Sequence, residues 1–156
     1  AAIAKSYHDL GIIFSWGQQD LEKGGQYLEQ SLVMRRKLLG DDHPLTLLTL
    51  GNLRNHFLRA GDLRAAEDHY RETVRVYRRV LGSEHLYSRR ALTELGRVLW
   101  KQGRFEEARD CGREVVSIAR RNWGDTDLQT LRSMMFLALV EWQSGRVDET
   151  EALYQY

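Results

Sequence analysis

Two series of glycines recur at a spacing of 42 residues, Gly40, Gly82 and Gly124 in one and Gly61, Gly103 and Gly145 in the other. Their surroundings repeat with them. Leu39-Gly40-Asp41-Asp42-His43 returns as Leu81-Gly82-Ser83-Glu84-His85 and as Trp123-Gly124-Asp125-Thr126-Asp127. Each glycine of the second series is followed by a polar residue and then by a large apolar one, Leu63, Phe105 or Val147. A column of small residues, Gly24, Ala66, Ala108 and Thr150, keeps the same phase. A fixed period between about 20 and 50 residues means that the chain is made of copies of one supersecondary unit, each too small to bury its apolar face alone and therefore stacked on its neighbours.

Two kinds of turn divide each period into two helices. Gly40, Gly82 and Gly124 follow the basic helix ends Arg35-Arg36-Lys37, Arg78-Arg79 and Arg120-Arg121. There positive charge opposes the negative helix terminus, and the glycine accepts a left-handed cap. The next helix can open on Pro44, whose missing N–H is no loss in a first turn, and Asp127 can cap the corresponding helix two periods on. Arg59-Ala60-Gly61-Asp62, Lys101-Gln102-Gly103-Arg104 and Gln143-Ser144-Gly145-Arg146 are short turns that force antiparallel hairpins. The spacing predicts A helices at 2–17, 44–60, 86–102 and 128–144, and B helices at 21–38, 63–80, 105–121 and 147–156. The first A helix runs one residue out of phase, because Leu10-Gly11 aligns with Leu95-Gly96 only if the turn Gly17-Gln18-Gln19-Asp20 carries an extra residue, a tolerable surface insertion. Where B crosses A, a small residue such as Ala66 or Ala108 lets the backbones approach.

The set of Leu95-Gly96 in one helix, Gly103 in the turn and Ala108 beyond it resembles the tetratricopeptide repeat signature, with a large residue such as Tyr70 or Tyr154 four places after the small one. The resemblance covers essentially the whole chain. More narrowly, Leu39-Gly40-Asp41-Asp42-His43-Pro44 leading into Thr46-Leu47-Leu48-Thr49-Leu50 is similar to kinesin-light-chain-type repeats. The resemblance implies an all-α, right-handed superhelical solenoid. Its A helices would line the concave face and its B helices the outside. One array over residues 1–156 is expected, with repeats at 2–38, 44–80, 86–121 and a truncated 128–156, as a piece of a larger protein.

Composition removes most other classes. Lysine and arginine number 23 against 22 acidic residues, a net charge of +1 that gives no global field for nucleic acid or an anionic membrane. The arginines of the outer helices, Arg75, Arg78, Arg79, Arg113, Arg120 and Arg121, are interleaved with Glu72, Asp110 and Glu114, and capping and solubility account for them. No run reaches the roughly 18 apolar residues of a membrane span. The single cysteine, Cys111, cannot close an internal disulfide, which favours a reducing, cytoplasmic setting. No cofactor, metal site or catalytic residue is expected. His43 and His85 stand a full period apart, His8, His56 and His69 sit singly in helices as surface or groove residues, and Glu106, Glu107, Glu149 and Glu151 suit helix starts.

The tetratricopeptide resemblance also selects partner-binding positions, on the A face turned away from helix B. They are Asn55, Leu58 and Arg59 in the second unit, Arg90, Thr93, Arg97, Trp100 and Lys101 in the third, and Arg132, Met135, Leu139, Trp142 and Gln143 in the fourth. His8, Ile12, Ser15 and Trp16 hold the places in the first. The set is basic and contains no acid. It suits a protein segment that carries acids beside bulky apolar residues, since arginine grips carboxylates and aromatics anchor, while Asn55 would bond a peptide backbone. Two roles stay open for Trp16, Trp100 and Trp142, which could anchor a partner or pack on the next repeat; the arginines could also simply keep a helical face soluble. The chain is therefore expected to be a protein-binding scaffold and not an enzyme, or a regulatory repeat domain attached to an enzyme such as a protease or NTPase. Self-association is expected through ends where Leu153 and Tyr154 would otherwise be wet.

Overall fold

The computed structural model describes residues 2–17 and 20–145. Among these the chain forms seven α-helices and no strand: α1 (Ala2–Trp16), α2 (Leu21–Leu39), α3 (Pro44–Ala60), α4 (Leu63–Leu81), α5 (Leu86–Lys101), α6 (Phe105–Trp123) and α7 (Leu128–Gln143). The helix expected at 147–156, with Thr150, Leu153 and Tyr154, lies outside the described residues. So do Gln18 and Gln19 of the expanded turn.

The B helices run slightly beyond their expected ends, α6 to Trp123 instead of 121. The reason is local. The N–H groups of Gly40, Gly82 and Gly124 donate back to the carbonyls of Arg36, Arg78 and Arg120 at 3.0, 3.1 and 2.9 Å, closing a final turn that the basic residues already favour. These glycines have positive φ, but with ψ of 167° at Gly40 and 176° at Gly124 they are not in the left-handed helical region expected of them. The chain leaves helix B almost fully extended, a conformation open to glycine alone. Gly61 at the tighter turn does adopt the left-handed helical form, with φ 76° and ψ 5°.

The A helices start by one device used three times. His43 Nδ1 accepts from Leu45 N at 3.1 Å, His85 Nδ1 from Tyr87 N at 3.2 Å, and Asp127 Oδ1 from Gln129 N at 2.7 Å. The two histidines thus do the work that was assigned to Asp127 alone, supplying an acceptor to an otherwise unpaired helical donor. Three residues further on, Thr46 and Ser88 donate their hydroxyls to Gly40 O and Gly82 O at 2.8 and 2.7 Å, tying each A helix to the turn before it.

Packing follows the period as well. Leu53, Leu95 and Leu137 hold equivalent places in the period and are all buried, as are Leu32, Val74 and Val116, while Ala66 and Ala108 are fully enclosed. The helices fall into two compact units, Ala1–Val76 and Tyr77–Tyr156. In the first, Leu28, Leu32, Leu50 and Leu53 make a cluster against which Ile12 and Phe57 pack. In the second, Val116, Met134 and Leu137 do so.

Candidate partner-binding faces

The expected partner-binding residues lie on α1 and α3 in the first unit and on α5 and α7 in the second. In the first unit, α1 and α3 bring Trp16 and Arg59 together, with the Arg59 guanidinium 4.8 Å above an indole that is 66% exposed. Asn55 is exposed and Leu58 is half-buried. Ile12 is half-buried against the leucine cluster.

Two residues expected on this face are buried. His8 and Ser15 are 5% and 4% exposed, so neither stands out from the surface, and His56, expected as a surface or groove histidine, is 4% exposed. Each finds polar partners about one period away, which a lone helical histidine gives no hint of. Ser15 Oγ lies 2.8 Å from His56 Nδ1. Asn52 Nδ2 donates to His8 Nε2 at 3.2 Å, leaving the ring proton on Nδ1, 3.3 Å from Thr49 Oγ1. Burial holds the pKa of His8 below its usual value, helped by the charge of Arg35, and burial likewise lowers those of His56 and His69.

In the second unit, Arg90, Arg97 and Lys101 on α5 and Arg132 and Gln143 on α7 are exposed. Glu94 approaches Arg97 to 3.5 Å, so this arginine carries an acid of its own chain at its side. Thr93 is half-buried and donates its hydroxyl to Arg89 O, which turns it inward as a helix residue. Trp100 donates Nε1–H to Gln143 Oε1 at 2.9 Å, so it joins α5 to α7. Trp142 is different. It is 62% exposed and closes a ridge of Leu128, Leu131, Met135 and Leu139, all exposed, at helical spacings of three and four. Of the two roles open to the tryptophans, Trp100 takes the packing role, and Trp16 and Trp142 present their rings to solvent.

The outer arginines are occupied. Arg36 pairs with Asp41 at 3.2 Å and with Glu72; a period later Arg78 meets Glu114 at 2.8 Å, and Arg120 meets Asp125 at 2.6 Å. Such exposed pairs contribute little stability each. No group of three or more histidine, cysteine or acidic side chains that could hold a metal is found among the described residues, and none of the described helices is long and apolar enough to cross a membrane.

A pocket of about 430 Å³ in the first unit was not foreseen. It lies where α1, the end of α2 and the start of α3 meet, with Ile12, Leu38, Leu39, Leu45 and Leu48 in its walls and Arg35 and His8 among its polar groups. In sequence Arg35 is part of a basic helix end. The signal that could have found it is positional: the residues one and two periods on are Tyr77 and Ala119, a packing column in which a charge is out of place.

Antiparallel hairpins at a fixed period, joined through small residues and capped alike, define a helical-repeat scaffold. The chain belongs to the tetratricopeptide repeat family, whose model matches residues 2–79, 55–121 and 87–155. No curated protein matches its sequence. Among solved structures it is similar to a kinesin light chain-like protein of Podospora anserina with nearly identical TPR-like repeats, at 25% identity and a TM-score of 0.76 over 96% of this chain and 70% of that one. It is also similar in fold to BtubC (BKLC) from P. vanneervenii, at 18% identity and a TM-score of 0.78 over 97% of this chain and 60% of that one. The apo form of RapI shares the fold at 8% identity and a TM-score of 0.77, over 99% and 41% of the two chains. The kinesin-light-chain-type likeness is thus found in structure as well as in the turn motif, and the family is one of protein-interaction scaffolds.

Proposed function

We propose that the uncovered A-helix faces bind a protein segment carrying acids beside bulky apolar residues. The observation that carries this reading is the exposed Trp16 ring with the Arg59 guanidinium stacked on it. A cation held over an aromatic face offers one surface that takes an apolar side chain and a carboxylate together. The second unit offers the same chemistry, with Arg90, Arg97, Lys101 and Arg132 on helices that also expose Met135, Leu139 and Trp142. Asn55 suits the peptide backbone, to which its amide both donates and accepts.

An array of short synthetic peptides in which tryptophan or leucine is flanked by glutamate tests the reading. The chain is expected to bind a subset of them, and Arg59→Glu with Arg97→Glu to lose at least about tenfold in affinity, since each reversal replaces attraction by repulsion. Unchanged binding by the double variant would remove these faces from consideration.

A further inference from the structure

We propose that the pocket between α1, α2 and α3 is a carboxylate-anchoring subsite, in which Arg35 receives an acidic side chain of a bound peptide and the surrounding leucines receive the bulky apolar residue beside it. This deepens the function proposed above and rests on it.

Arg35 is a buried charge that no acid neutralises. Of the basic run ending α2, Arg36 is held by Asp41 and Glu72, but Arg35 turns inward until 4% of it is exposed. The array fills the corresponding places with Tyr77 and Ala119, so a helix can pack there without a cation. Burying a guanidinium is costly unless a carboxylate and further hydrogen bonds compensate it. Arg35 has the hydrogen bonds and lacks the carboxylate. Its Nη1 donates to Leu45 O and to Thr49 Oγ1, both at 2.7 Å, and these two bonds use both hydrogens of that nitrogen. No acid lies within ion-pairing distance of it among the described residues, and the one acid acting on it from further off, Asp9, is engaged by Lys5 Nζ at 2.9 Å.

What remains is the other edge of the fork. Nε and Nη2 donate to no partner among the described residues, and neither belongs to the polar atoms sealed away from solvent without one. Arg35 also lines the pocket. Two fixed bonds on Nη1 leave the Nε and Nη2 hydrogens in the arrangement that a carboxylate accepts with both oxygens. Thr49 is itself held, donating to Leu45 O at 3.0 Å, so the guanidinium is positioned in advance of any ligand.

The walls specify the rest of the ligand. Leu38, Leu39, Leu45 and Leu48 each keep more than a third of their surface exposed, an unusual concentration for large apolar residues unless something covers them. A volume of about 430 Å³ exceeds what one carboxylate needs and falls in the range of ligand pockets. Lys5 and Asp9 also line the pocket, but they pair with each other at 2.9 Å, so Arg35 is the lining cation left without an acid, and beneath leucine walls it complements one acid joined to one apolar side chain. Ile12 connects the pocket to the α1 face that carries Trp16, which is why a peptide continuing along that face is the occupant argued for here.

The test uses the full chain and two blocked synthetic peptides that differ at one position, one with Glu beside Leu and one with Gln there, followed by calorimetry or fluorescence anisotropy. Wild type is expected to prefer the Glu peptide by about tenfold or more, as charge-assisted bidentate bonds do over neutral ones. Arg35→Met should lose that preference while remaining folded by circular dichroism. Should Arg35→Met not fold, Leu48→Glu, at an exposed wall position, is the second variant; it is expected to weaken the Glu peptide by at least the same factor. An Arg35→Met protein that still prefers Glu, or a Leu48→Glu protein that binds normally, overturns the proposal. Decanoate that competes fully with the peptide and binds as tightly would assign the pocket to a free fatty acid and overturn it too. If Arg59→Glu with Arg97→Glu abolishes binding while Arg35→Met leaves the preference intact, the pocket fails and the broader reading stands. If no peptide binds wild type, both fail.

Discussion

Gly24 and Gly51 are both helical glycines, and the same substitution is expected to move them in opposite directions. A Cβ on Gly24 would stand 2.5 Å from Ser15 Oγ and 2.8 Å from Ser15 N, and the second of these is backbone that no rotamer change can move. Ser15 is also the residue that bonds His56. Gly24→Ala should therefore lose about 1 to 3 kcal/mol through overpacking. At Gly51 the nearest foreign atom to a new Cβ is the Arg54 guanidinium at 3.8 Å, so Gly51→Ala should gain about 0.5 to 1 kcal/mol from reduced backbone freedom in the unfolded chain. Urea midpoints of the two variants check this, and a shift of the same sign in both would contradict it. Gly24 was readable in the sequence because it sits in the small-residue column with Ala66 and Ala108. The buried histidines were not, since the partners of His8 and His56 lie 41 residues away, in another copy of the repeat.

At the scale of elements, the helix ends were readable because glycine, proline and charge mark them locally. The histidine caps at His43 and His85 are not marked by residue type, and their equivalence with Asp127 lies in one bond made three times. Asp127→Ala should cost about 1 kcal/mol, read from the urea midpoint, by leaving the Gln129 N–H without its acceptor. The buried histidines make a second prediction. His8, His56 and His69 all belong to the first compact unit, and burial lowers the pKa of each below 6.5. The unfolded chain takes up these protons near pH 6.5 and the folded chain resists them, so stability present above that pH is lost as the pH falls through the folded values. Hydrogen exchange at pH 5 and pH 7.5, corrected for intrinsic rate, should show α1, α2 and α3 losing more protection than α5, α6 and α7; equal losses would contradict the assignment.

For the whole molecule, the sequence period determined which residues lie inside, because every copy must bury the same positions, while the tetratricopeptide resemblance supplied the A-helix faces expected to bind. It could not show that Arg97 has Glu94 beside it, that Trp100 bonds Gln143, or that Arg35 leaves the basic helix end for a pocket. The first is a choice of side-chain direction within α5, and the other two are made by neighbours on other helices. The central claim is that partner binding uses the A helices. Its most direct test is an NMR titration of the isotope-labelled chain with a synthetic peptide holding tryptophan between glutamates. Shifted amide signals are expected to concentrate on α1, α3, α5 and α7, with Trp16, Asn55, Arg59 and Trp142 among them, and to diminish with added salt. Shifts concentrated on α2, α4 and α6, or none at saturating peptide, would contradict the account.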